Sequence, residues 1–161
     1  MAELQVLPSD DSADVELHVG AEIVGSYAFT AQSISDYAKL AQDFNPLHHD
    51  ETIAGKSRFG TLIAAAAQST GVFTSLLATH FAPRGQALGL EFSFKLRRAV
   101  KSGVTAHMAW TIVSLDHSDK LGGVLVDVSG AMSDEAGTVL VEGRGRLLYL
   151  ANEVSTSQEE S

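Results

Sequence analysis

Asp43 and His48 stand five residues apart in the stretch Ala41-Gln42-Asp43-Phe44-Asn45-Pro46-Leu47-His48-His49-Asp50, with a proline between them. Pro46 pushes Asn45 out of helical geometry and turns the chain. A carboxylate and an imidazole can then approach one point and share a water molecule. General acid-base chemistry needs that pairing, one group taking a proton from water while the other returns a proton to the substrate. Imidazole titrates near neutral pH, so modest tuning makes it a base or an acid. As isolated residues, an Asp near a helix end and an Asn-Pro pair are more often a cap and a turn. His48, His49 and Asp50 also raise the question of a metal site, but adjacent histidines lack the spacing of ligands on one helix face, and no metal is expected.

The elements that must position this pair follow from periodicity. Ile34, Tyr37, Ala38, Leu40, Ala41 and Phe44 recur at three- and four-residue spacing, which predicts a helix over Thr30 to Phe44. Ser33 with Asp36, or Thr30, would cap it, and Pro46 ends it. A polar, mobile-looking segment is expected from His48 to Arg58. Gly60 is expected to open a second helix to about Thr79, buried because its apolar residues lie nearly all the way round, with Ala64 to Ala67 admitting a close neighbour. Alternating runs at Ala87–Val100, Gly103–Leu115, Leu121–Ser133 and Gly137–Leu150 read as four strands joined by short turns, with Gly122 and Gly123 marking a bulge or bend. A lead-in strand is expected near Ala21 to Phe29. The order is α+β: one long apolar helix that must be covered, and a curved antiparallel sheet to cover it.

Composition narrows the partners. The chain has 161 residues, 11 Lys and Arg against 20 Asp and Glu, a formal charge of -9 and no cysteine. The charge argues against nucleic acid. The absence of cysteine removes disulfides, zinc-thiolate sites and a cysteine nucleophile, and fits the cytoplasm. Residues 61–81 carry Gln68, Ser69, Thr70, Thr74, Ser75 and His80, too polar a set for a lipid-exposed span, so no membrane partner is expected. Residues 1–14 read as a flexible acidic segment, 15–150 as one domain and 151–161 as a disordered tail. Arg84, Lys95, Arg97, Arg98 and Lys101 gather five of the 11 cations in one region. They are either solubilising charge at a strand end or a place for phosphate groups.

The segment Asp43-Phe44-Asn45-Pro46-Leu47-His48 resembles the hydratase signature of the MaoC-like, (R)-specific enoyl-CoA hydratase family. Val19-Gly20, Phe29 and Gly89-Leu90-Glu91-Phe92-Ser93-Phe94-Lys95-Leu96 resemble the family at corresponding places, so the likeness runs from about Glu16 to Leu150. It implies a hot-dog fold, a long central helix wrapped by a curved antiparallel sheet. It implies reversible addition of water to a 2-enoyl thioester, giving an (R)-3-hydroxyacyl thioester, with coenzyme A or a carrier protein as the thiol. Asp43 and His48 would activate the water, in roles that stay open, and Asn45 would support them. Gly60, at the start of the central helix, would hold the thioester oxygen through its N–H, although Phe59-Gly60 stands where many members have His-Gly. Of the cation cluster noted above, Arg97, Arg98 and Lys101 would meet the phosphates of coenzyme A, although Arg97-Arg98 stand where the family more often has neutral residues. No cofactor beyond the substrate's own coenzyme A is implied, and the assembly would be a homodimer or a multiple of one. Two alternatives remain: a hot-dog thioesterase, disfavoured because Thr61 to His80 contains no Asp or Glu, and a non-catalytic acyl-binding or partner-stabilising subunit, which has no need for both Asp43 and His48.

Overall fold

The computed structural model describes residues 3–6 and 17–152. Its elements are β1 (Gln5–Val6), β2 (Glu22–Ala28), α1 (Ala31–Leu40), a 3₁₀ turn (Pro46–His48), α2 (Glu51–Lys56), α3 (Ala66–Phe81), β3 (Gly85–Leu96), β4 (Thr105–Ser118), β5 (Gly123–Ser133) and β6 (Val139–Ala151). The strands form one antiparallel sheet in the order β1-β2-β4-β5-β6-β3, curved around α3. This is the hot-dog arrangement. Of the expected acidic segment 1–14, Gln5–Val6 pairs with Ser26 and Gly25 as a strand, and the rest apart from residues 3–6 lies outside the described residues. Ala151 still belongs to β6, and the tail beyond residue 152 lies outside them as well.

The sheet faces α3 with alternate residues. Along β4, Ala106, Met108, Trp110 and Ile112 are buried, the period of two expected of a strand with one covered face. Trp110 lies opposite Gly130, which lies opposite Gly143. A Cβ on Gly130 would come 2.8 Å from the indole and one on Gly143 2.5 Å from it, so the two glycines form the floor on which the ring rests. Above it, Phe73 of α3 stacks at 4.0 Å between ring centroids. The indole Nε1–H donates to the Phe73 carbonyl at 2.9 Å. Packing and one buried hydrogen bond thus fix α3 against the middle of the sheet.

Several expectations need correction. The central helix begins at Ala66, six residues after Gly60. Residues 62–65 are extended because other segments of the chain claim their backbone: Ile63 N–H donates to Leu47 O, Ala64 N–H to Val100 O, and Leu62 O accepts from Ser102 N–H. The segment expected to be mobile contains α2, capped by Asp50, whose Oδ1 accepts from the amides of Thr52 and Ile53 at 2.9 Å each. α1 is capped by Thr30 in a box with Ser33, and ends at Leu40 rather than Phe44. The helix α3 is not covered all round: Ala66, Ala67, Gly71, Ser75, Ala78 and Thr79 form an exposed face of small residues. The register shifts lie at Gly89/Glu91, Ile112/Ser114 and Met132/Ser133, while Gly122 serves the turn before β5 with φ 66°.

Candidate active site

Asp43 is placed by the way α1 ends. Gln42 N–H donates to Lys39 O at 3.1 Å and Asp43 N–H to Ala38 O at 2.9 Å, with Gln42 left-handed at φ 56°. These are the two bonds of a Schellman cap, which turns the chain sharply off the helix axis. Asn45 then uses both of its ends. Its backbone N–H donates to Asp43 Oδ1 at 3.1 Å, and its side-chain Oδ1 accepts from Leu47 N–H at 3.1 Å, opening the 3₁₀ turn. The turn delivers His48 into the interior, 5% exposed.

The partner of His48 Nδ1 is the carbonyl oxygen of Ile63, at 2.7 Å. A carbonyl only accepts, so Nδ1 carries a proton, and the neutral form of the ring has its lone pair on Nε2. Nε2 lies 3.5 Å from Asp43 Oδ2, and the Asp43 side chain is 40% exposed. An ionised carboxylate and an unprotonated Nε2 are both acceptors and cannot bond to each other. The arrangement can hold a water molecule that donates one hydrogen to each, leaving its oxygen lone pairs facing outward. His49 completes the frame by donating from Nε2 to the Asp43 carbonyl at 2.5 Å.

The remaining expected residues fall in different places. Gly60 lies in the turn between α2 and α3 with φ 73°, and its N–H is already bonded to Ser57 O at 3.1 Å. It is not at the start of the central helix. That place is taken by Ala65 and Ala66, and Ala65 supplies no capping side chain. The amides of Ala66 and Ala67 have no hydrogen-bond partner among the described residues. Arg97 is committed to Glu142 by a 2.7 Å ion pair, and the hydrogen bond between them holds the Glu142 carboxyl below its usual range. Arg98 and Lys101 are exposed on the loop between β3 and β4. Lys101 pairs through its backbone with Ile63, the residue that holds His48. Of the three cations, Lys101 is tied through its backbone to the segment that holds His48, the Arg98 amide bonds to Leu140 O at 3.1 Å, and Arg97 is engaged with Glu142.

Size alone does not pick this site. A concavity of about 620 Å³ lies against the other face of the sheet between Glu91, Asp127, Arg144 and Arg146. Among the described residues no group of His, Asp and Glu is arranged to hold a metal.

Residues 16–130 match the protein-family profile described as "MaoC like domain". The chain belongs to the MaoC-like family. It is 34% identical over 101 residues to a protein named (R)-specific enoyl-CoA hydratase from Aeromonas caviae, a match covering 62% of this chain and 75% of that one. It is 27% identical over 103 residues to a 3-hydroxybutyryl-CoA dehydratase from Methylorubrum extorquens, covering 64% and 62%. Among solved structures, the R-hydratase PhaJ1 from Pseudomonas aeruginosa superposes with a TM-score of 0.75 at 20% identity, over 91% of this chain and 93% of that one. Sequence reasoning singled out Asp43, Asn45 and His48, and the structure brings the three together. It missed the brace from His49 and the Ala66 and Ala67 amides, although the run Ala64 to Ala67, which contains no capping residue, was a signal of an uncapped helix start.

Proposed function

We propose that this MaoC-like protein is a lyase that adds water reversibly to a 2-enoyl thioester, giving the (R)-3-hydroxyacyl thioester. The observation that carries the reading is the facing of two acceptors, His48 Nε2 and Asp43 Oδ2, 3.5 Å apart. A water bridging them is aligned for attack on Cβ, and the pair passes its proton on to Cα from the same side. The developing enolate oxygen falls to the amides of Ala66 or Ala67, because the first turn of a helix offers unpaired N–H groups and a favourable dipole. Coenzyme A is the favoured thiol, since both relatives named above act on CoA esters by their names. Arg98 and Lys101, both exposed on the loop between β3 and β4, are the cations this reading assigns to its phosphates.

The test follows loss of the enoyl-thioester absorbance with crotonyl-CoA and longer 2-enoyl-CoAs. Asp43→Asn and His48→Ala are each expected to lower kcat/KM by about 10²-fold or more, the usual weight of a positioned acid or base, with unchanged far-ultraviolet circular dichroism. Normal turnover by both variants would sink the mechanism.

The reading extends to assembly. β3 is the last strand of the sheet, and its outer backbone edge faces no strand among the described residues. Two copies joined along that edge would give a homodimer with one continuous sheet.

A further inference from the structure

Three polar side chains are buried among the described residues: His48, Gln68 and Ser69. His48 is held by Ile63, and the Ser69 hydroxyl donates to Ala66 O at 3.0 Å. Gln68, 2% exposed in the first turn of α3, donates from Nε2 to Ser33 O of α1 at 3.1 Å. Its Oε1 is buried and has no partner among the described residues. The amide cannot be turned round to cure this, because Ser33 O is an acceptor and must face the NH₂ end. A glutamine three residues after an N-cap often folds back onto the N-cap amide. Gln68 Oε1 does not, and a buried acceptor left empty is costly enough that native proteins nearly always supply a donor.

The donor has to come from a bound molecule or a water. If the protein works on acyl thioesters as proposed above, three parts of the ligand can be weighed. The coenzyme arm must leave towards solvent, and Gln68 is closed off from solvent. The hydroxyl at the reacting carbon belongs to Asp43 and His48. Ser33, to which Gln68 is tied, lies roughly 10 Å along α1 from its end at Leu40, beyond which Asp43 follows. What remains is the acyl chain beyond the reacting carbons. We propose that Gln68 Oε1 is a specificity determinant that accepts a hydrogen bond from a hydroxyl or N–H carried on the distal part of the acyl group, so that the preferred substrate is a polar-substituted 2-enoyl thioester rather than a plain hydrocarbon one.

The test compares a ladder of ω-hydroxylated 2-enoyl-CoAs, each beside its unhydroxylated partner of equal length, with wild type, Gln68→Leu and Gln68→Met. The expected result is a wild-type kcat/KM about tenfold higher for the hydroxylated member at one matching length, the factor one buried hydrogen bond supports. The preference should vanish in both variants through KM, read as the ratio between the two members of each pair rather than as the rate of either one. A residue that merely ties α3 to α1 would move both members of a pair alike and leave the ratio unchanged. An active wild type with no preference at any length overturns the assignment and leaves the acceptor to a buried water. A wild type inert towards every enoyl-CoA instead sinks the hydratase reading on which the inference rests, and the inference with it.

Discussion

Among the described residues, Gln42 is the one non-glycine with positive φ, and it stands immediately before Asp43. A left-handed residue with a Cβ costs about 1 kcal/mol or more, so the cap that aims Asp43 is held under strain. Gln42→Gly should relieve it and raise stability by up to about 1 kcal/mol. Chemical denaturation measures this directly, and a variant no more stable than wild type would show the strain to be absent. The approach of Asp43 to His48 was legible, because Asp-x-Asn-Pro-x-His encodes its own turn within six residues. What fixes the tautomer of His48 was not. Ile63 O is fifteen residues away and carries no side-chain signal, since any residue offers a carbonyl. Gly60 was misplaced for a related reason: the glycine announced a positive φ without saying which turn needed it.

At the scale of elements, strands and α1 were readable because their periods are carried by their own residues. The start of α3 was not, because four alanines are good helix formers and suggest an early start. Tertiary hydrogen bonds from Leu47, Val100 and Ser102 hold residues 62–65 extended instead. The part played by Gly130 and Gly143 was not legible either, because it depends on the Trp110 ring carried by another strand. The outer face of the sheet carries a cross-strand pair that makes a testable claim. Arg146 of β6 grips Asp127 of β5 through two bonds of 2.6 and 2.7 Å, and Ser114 of β4 adds a third at 2.8 Å. The bond from Arg146 does most to draw the Asp127 carboxyl down to about 2 from its ordinary 3.8. A carboxyl lowered on folding stabilises the native state above its unfolded value and loses that contribution as pH falls. The stability of the wild type should therefore decline between about pH 4 and pH 2 by more than that of Arg146→Gln. The difference will be less than the shift alone implies, because the Arg146 side chain is 48% exposed and water screens the pair. Parallel acid limbs in urea titrations of the two proteins would remove the claim.

For the molecule as a whole, the question is what covers the end of the sheet. β3 runs twelve residues along that end, and Leu88, Leu90 and Leu96 on it are 47%, 52% and 53% exposed. A long, apolar, unpaired edge is a hazard that folded proteins avoid by shortening, charging or covering it. Beside it runs a groove of about 220 Å³ between α3 and β3, lined by Thr74, Ser75, Ala78, Ala87 and Phe92, onto which the small exposed residues of α3 also look. A second copy related by a two-fold axis satisfies all three features at once: antiparallel pairing of β3 with itself, burial of the leucines, and closure of the groove. Any strand could pair with the edge, but only a copy presents the same leucines and the same small helix face in return. The wild type is therefore expected to sediment at twice its 17.0 kDa mass or a multiple of that. Leu88→Glu with Leu90→Glu places like charges across the pairing and should shift the protein to monomer with its far-ultraviolet spectrum retained. A wild type that stays monomeric at every concentration would rule out the pairing. A double variant that remains dimeric would move the interface away from β3, to the small-residue face of α3 alone.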